Sequence, residues 1–210
     1  NDVGGEVLIR HGDDRLGWEF LEPGMIIHEG DHIQTRKDAY VSLSLPDMTI
    51  FVMKPESELI IDYDSTKKES KWAILNGKVY ANVKHALKYG TMNVEMAQAV
   101  AGIKGTIFVC EEIDGVSTLK VIEGKVTFTD KAGEVVTVKT GQMVSADENG
   151  LTAVTAFDVD EEYASWDGFL TEEAAESHQN NTLMIILILA AVLILGGVTA
   201  FFVTKKRHPT

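Results

Sequence analysis

The sequence predicts an all-β domain, a curved roll, solenoid-like or sandwich fold, followed by a short juxtamembrane helix and one transmembrane helix. Three observations point there. Apolar residues alternate with a period of two through most of the chain, glycine-bearing pairs punctuate the runs, and Leu183–Val203 contains no charged residue.

The alternation begins at Val41, Leu43 and Leu45, separated by Ser42 and Ser44, and resumes at Ile50 and Val52 after Pro46-Asp47. Leu59 with Ile61 continues it, then Val79, Ala81 and Val83, and Ile107 with Val109. Leu119 with Val121, Val126 with Phe128 and Val136 with Val138 complete the series. Successive side chains of a strand point to opposite faces, so this spacing marks half-buried strands. Asn76-Gly77, Asp114-Gly115, Glu123-Gly124, Ala132-Gly133 and Asn149-Gly150 are the turn signals between runs. Asp114-Gly115, with an alternating run on each side, is the best two-residue hairpin candidate. A Gly-x-Val pattern opens runs at Gly5, Gly77 and Gly124, but the unequal spacing excludes a solenoid of one fixed period. Gly77 and Gly124, with Gly105 ahead of the apolar run at Ile107, are expected at structural turns or close backbone approaches.

Two regions break the β pattern. Asp64–Lys71 is polar and reads as a loop before Trp72. From Phe157 to Ser177 the apolar residues Tyr163, Trp166 and Leu170 fall at helical intervals among acidic ones, which predicts a short helix interrupted at Gly168. Ser177–Thr182 is a polar linker whose Asn180-Asn181-Thr182 formally matches a glycosylation acceptor, a match common by chance. The expected organisation is a β domain at 1–156, an acidic juxtamembrane segment and linker at 157–182, a membrane span at 183–203 and a tail at 204–210.

The apolar stretch decides the compartment. Leu183–Val203 as a helix would span roughly 30 Å, the thickness of a bilayer hydrocarbon core. Lys205, Lys206 and Arg207 follow it, whereas Glu172, Glu173 and Glu176 precede it. The positive-inside rule then places the tail in the cytoplasm and the large N-terminal domain outside. A chain that starts at Asn1 fits a mature protein from which a signal peptide has been removed. A domain in the cytoplasm, held by a tail anchor, is the rival topology.

Composition narrows the function. The net charge is −13, and setting aside Lys205, Lys206 and Arg207 leaves 16 Lys+Arg against 32 Asp+Glu, or −16. So acidic a body has no field to attract a polyanion, which argues against nucleic-acid binding. A single cysteine, Cys110, excludes an internal disulfide framework and a cysteine-based zinc site. A 45% hydrophobic content excludes a disordered chain.

An ordered series of segments resembles the FecR domain family. Leu21–Thr35, with Gly24, Gly30-Asp31, Ile33 and Thr35, leads into strands and a Pro55-x-Ser57-x-Leu59 step. Leu75–Val83 is similar to the family's central Gly-x-Val strand, and Val100–Val109 carries its Gly-Thr-x-Phe-x-Val step. The Thr118–Phe128 run and the closing Lys139–Ala146 segment complete a resemblance over about residues 3–156. It implies a non-catalytic all-β module with roll or solenoid character, displayed outside the cytoplasmic membrane. Founding members relay an iron-uptake signal from an outer-membrane receptor to a sigma factor. In them the membrane helix precedes the domain and a cytoplasmic anti-sigma segment is present. Here the apolar stretch follows the domain, so only the outward-facing binding module is expected to carry over.

The residues offer little chemistry. Of the histidines at 11, 28, 32, 85, 178 and 208, only His28 and His32 are close in sequence. With Glu29 and Asp31 they read as an exposed acidic turn rather than a metal site. Cys110 ends an apolar strand as a small buried residue, and no histidine is placed to activate it. Asp158, Asp160, Glu161 and Glu162 read as an acidic helix N-terminus rather than a calcium loop. No catalytic, cofactor-binding or metal-ligating residue is expected, and the chain is read as no enzyme. Gly196 and Ala200, with Thr199 beside them, form a small-residue face that could pack a partner helix. The expected function is a membrane-anchored binding or scaffold subunit of a membrane or cell-surface complex. It would meet an extracytoplasmic protein through the β domain, and a membrane partner or itself through the span. The alternative is a transmembrane sensor of the FecR regulatory type.

Overall fold

Short runs of Val, Ile, Phe and Thr bounded by glycines become strands because β-branched and aromatic side chains suit a pleated surface. The computed structural model of the chain describes residues 2–12, 17–44, 50–64, 69–83 and 91–170. These form two sheets that share one core. In the first sheet lies β1 (Asp2–Gly4); the chain crosses at Gly5 and enters the second as β2 (Val7–Arg10), flanked by β3 (Glu19–Phe20) and β4 (His32–Thr35). It returns to the first sheet as the antiparallel pair β5 (Tyr40–Ser44) and β6 (Ile50–Met53). β7 (Glu58–Asp64) then goes back to lie beside β4.

The next strand, β8 (Glu69–Asn82), belongs to both sheets. Its first half pairs with β7, and its second half, from Val79 to Asn82, pairs with β6. The second sheet continues with β9 (Thr91–Glu95), which runs parallel to β8, and β10 (Ala99–Ile103). β11 (Ile107–Ile113) and β12 (Val116–Glu123) form a hairpin in the first sheet, β11 lying against β8. β13 (Lys125–Asp130) and β14 (Val135–Lys139) extend the second sheet beside β10. β15 (Gln142–Asp147) closes the first beside β12, with the short β16 (Gly150–Leu151) and β17 (Thr155–Ala156) on its edge.

One four-strand plan thus occurs twice. In β4–β7 and again in β10–β13, the outer two strands pair in the second sheet while the inner two pair in the first. The three Gly-x-Val echoes find their reason here. Gly5, Gly77 and Gly124 each sit where the chain passes from one sheet to the other, and each has positive φ. Asn76-Gly77 therefore does not separate two strands; it bends one strand between two sheets. The Asp114-Gly115 pair does form the expected tight hairpin, with φ of 51° and 75°, the double-positive signature of a type I′ turn.

The core lies between the sheets. Phe51 of the first sheet stacks on Trp72 of the second, 3.7 Å between centroids and 17° from parallel. Val41, Leu43, Phe108, Leu119 and Val121 pack with them from one side, and Ile9, Ile33, Leu59, Val94 and Phe128 from the other. Half-burial fails in the first sheet. All four residues of β6, and Ile107–Cys110 of β11, are buried, because this sheet is covered on its outer face as well.

Gly105 lies at the crossing from β10 to β11 with φ +62°. A β-branched side chain there is strained, so Gly105→Val is expected to destabilise the chain by about 1–3 kcal/mol. Thermal melting tests it, and an unchanged midpoint would refute the strain argument.

The last described element is α1 (Val159–Ala164), capped by Asp158, whose side chain accepts a hydrogen bond from the Glu161 N–H at 3.0 Å. A compact unit ends at Leu170. The expected span at 183–203, with Gly196 and Ala200, lies outside the described residues, as do the linker and Leu45–Asp47. Among the described residues no helix is long and apolar enough to cross a membrane.

Candidate functional site

The outer face of the first sheet carries a network of charged and polar side chains, and strand register explains its composition. Ser42, Val52, Tyr80, Val109, Lys120 and Met143 are successive cross-strand partners on β5, β6, β8, β11, β12 and β15. Two residues along each strand, on the same face, stand Tyr40, Lys54, Lys78, Glu111 and Thr118. A largely apolar row, broken by Ser42 and Lys120, thus runs beside a row centred on the charges of Lys54, Lys78 and Glu111.

Residues 157–170 close over this face. Trp166 is fully buried, its ring 5.6 Å from that of Tyr80, and Tyr163 meets Tyr80 at 6.4 Å. Phe169 packs edge-on against Tyr40, with centroids 5.6 Å apart. The Lys54 ammonium lies 4.1 Å from the centre of the Trp166 ring and donates to the Ser165 carbonyl at 2.7 Å. Lys120 bridges Glu111 and Glu162, at 2.7 Å to each. Trp166 Nε1 donates to the other Glu162 oxygen at 3.0 Å. Helix α1 has only six residues, too few to persist on its own in water, so these contacts hold it. The segment is a clasp.

Burial weighs against every charge here, and pairing decides the outcome. Burial holds Lys54 below its ordinary value, with Glu162 only partly opposing it. For Lys120 the hydrogen bonds to Glu111 and Glu162 outweigh burial and raise it. For Glu162 the bonds from Lys120 and Trp166 likewise outweigh burial and hold the carboxyl below its ordinary range.

The sequence candidates fall elsewhere. His28 and His32 do not converge. His32 is buried, with Nδ1 3.0 Å from an Arg10 guanidinium nitrogen, Nε2 2.6 Å from Glu58 and the ring 4.8 Å from that of Trp18. Burial comes first in holding its pKa down. Asp31 is buried too, so the expected exposed acidic turn is exposed only at His28 and Glu29. Its carboxylate accepts from the His28 N–H at 2.6 Å and meets His11 Nδ1 at 2.8 Å. Sequence spacing does not point to His11, because it comes from a different loop, the one after β2.

Cys110 is wholly buried between Val79 and Leu119, and burial drives its thiol well above the ordinary range. It is expected to react with thiol reagents only as fast as the domain opens. Labelling of the folded chain within the mixing time would contradict that. The signal for the clasp lay in the apolar runs Ile50–Met53 and Ile107–Cys110, whose lack of polar alternation marks burial on both faces.

The FecR protein family model matches residues 31–127. Among solved structures, two crystal structures of a protein of Parabacteroides distasonis ATCC 8503, described as a candidate anti-sigma factor, are similar. One gives a TM-score of 0.56 at 18% identity, over 65% of this chain and 65% of that one. The other gives 0.58 at 18% identity, over 65% and 64%. This chain therefore spans just under two thirds of their length, and the likeness is one of fold. No curated protein matches.

Proposed function

Since residues 31–127 belong to the FecR family, we propose that the chain is a non-catalytic binding or scaffold module, anchored in the cytoplasmic membrane with its β domain outside. It serves as an accessory subunit of a membrane or cell-surface complex. The observation that carries this reading is the clasp. Trp166, Lys54 and Lys120 fasten the chain to the sheet up to Leu170, so the β domain is tied firmly to the segment that leads to the charge-free stretch. The chain between Leu170 and Leu183 extends at most about 45 Å, which keeps the domain near the bilayer. The acidic residues before the stretch and the basic ones after it support the outward orientation.

Protease added to intact cells, or to spheroplasts where an outer membrane is present, is expected to digest the body. Protection until lysis would overturn the outward topology. For the subunit role, the full chain extracted in mild detergent is expected to bring a membrane protein partner, or a second copy of itself, with it. Gly196→Ile should weaken that association relative to the control Leu187→Ile. Equal recovery would leave the β domain as the docking surface.

A second reading is a FecR-type regulatory protein, and it draws on the family and on the description of the two structural neighbours. Deleting the chain would then alter transcription of a sigma-dependent gene set while leaving every membrane complex assembled.

A further inference from the structure

We propose that His11, His28 and Asp31 form a binding site for a divalent transition-metal ion of the zinc type. The loop after β2 and the loop before β4 touch through two glycines. A side chain on Gly12 would lie 2.8 Å from the Gly30 carbonyl oxygen, so the approach depends on a bare Gly12. That contact brings one donor atom from each of His11, His28 and Asp31 within 4.8 Å of one another. Glu19 of β3, 3.2 Å from His11 Nε2, stands behind that ring and can orient it, as a carboxylate commonly does for a metal-bound histidine. The donors open onto a surface pocket lined by His11, Gly12, His28, Glu29, Gly30 and Asp31, which gives an ion a way in.

Two features go beyond a loop brace. A carboxylate as buried as that of Asp31 is normally matched by a cation, yet among the described residues no lysine or arginine pairs with it; the side chains beside it are two imidazoles, which can be neutral. His11 also presents both ring nitrogens to carboxylates, Nδ1 to Asp31 and Nε2 to Glu19, where a brace needs only one. A tetrahedral ion with bonds of about 2.0–2.2 Å sets its ligand atoms roughly 3.3 Å apart, so the cluster must contract slightly. His28 can supply that movement, since its side chain is 67% exposed and its Nδ1 stands 3.9 Å from Asp31. Two imidazoles with carboxylates select zinc, nickel, copper or ferrous iron, whereas calcium and magnesium take oxygen ligands.

The test is calorimetric titration of the full chain in mild detergent, stripped of metal beforehand, with zinc chloride and in parallel with calcium chloride. One zinc ion per chain is expected, with calcium giving no comparable heat. Zinc should also raise the melting temperature of the chain. His28→Ala, at an exposed side chain, should melt like the parent without metal yet bind zinc roughly tenfold or more weakly and lose the zinc-dependent shift. Equal zinc affinity in parent and variant, or binding of calcium as strong as that of zinc, overturns the proposal.

Discussion

Replacing Trp166 with alanine is expected to release the clasp from the first sheet. The indole is fully buried, packed at a tilt against Tyr80, covered by the Lys54 ammonium at 4.1 Å and hydrogen-bonded to Glu162 at 3.0 Å. Removing a buried tryptophan costs about 3–5 kcal/mol. The remaining anchors include Lys120–Glu162, Lys54–Ser165, Tyr80–Tyr163 and Tyr40–Phe169, and partly exposed contacts of these kinds contribute about 1 kcal/mol or less each. The loss is therefore at least as large as what is left. Residues 159–169 should lose hydrogen-exchange protection and become open to protease, while the core between the sheets keeps its own protection. Trp166→Phe retains most of the apolar area and loses the Nε1–Glu162 bond, so it should cost only about 1–2 kcal/mol and keep the clasp closed. A Trp166→Ala chain with parental protection at 159–169 would show that the clasp does not depend on its central residue. Release would also lengthen the unpacked chain that leaves the sheets before Leu170, which links this stability argument to the proposed anchoring.

Much of the fold was legible because its signals are local. Alternation in β12 and β13 depends on which face each strand buries, and Asp114-Gly115 depends on two backbone angles; both are written in a few adjacent residues. The clasp was only half legible. Helical spacing placed Tyr163 and Trp166 on a short helix, but nothing local says that this helix lands on Tyr80, more than eighty positions earlier. The Lys120 bridge is of the same kind, since its two carboxylates come from β11 and α1. The histidine cluster was hidden for a related reason. His28 and His32 look paired by sequence, yet Asp31 and His32 start an extended segment, so their side chains diverge. His11 arrives instead, through a glycine contact that spacing does not reveal.

Gly77→Val should be the most damaging single change in the domain, because β8 bends between the sheets at Gly77. Its φ is +91°, a conformation that side-chain-bearing residues rarely adopt. A Cβ built there would lie 2.2 Å from Ser57 Oγ and 2.5 Å from Ser57 Cα, so relief requires backbone movement. Ser57 is not free to give way. It is fully buried; its N–H donates to Thr35 Oγ1 at 2.9 Å, its carbonyl accepts from the Thr35 N–H at 2.9 Å, and its hydroxyl oxygen accepts from the Lys78 N–H at 3.0 Å. This network joins β4, β7 and β8 at the crossing, which is a physical reason for serine in the Pro55-x-Ser57-x-Leu59 step. Backbone strain of about 1–3 kcal/mol and overpacking of about 1–3 kcal/mol add to about 1 kcal/mol for the lost Lys78–Ser57 bond, for a total of about 3–7 kcal/mol. Domains of this size are stable by only about 5–15 kcal/mol, so the variant should melt far below the parent or fail to accumulate folded. Gly77→Ala, with the same Cβ clash but no branching, should fall between the two. At Gly124 the nearest obstacle is the Thr106 methyl at 2.7 Å, a side chain that can shift, so Gly124→Ala should be milder than Gly77→Ala. Urea or thermal unfolding of the three variants ranks them, and a Gly77→Ala chain as stable as Gly124→Ala would refute the locked crossing.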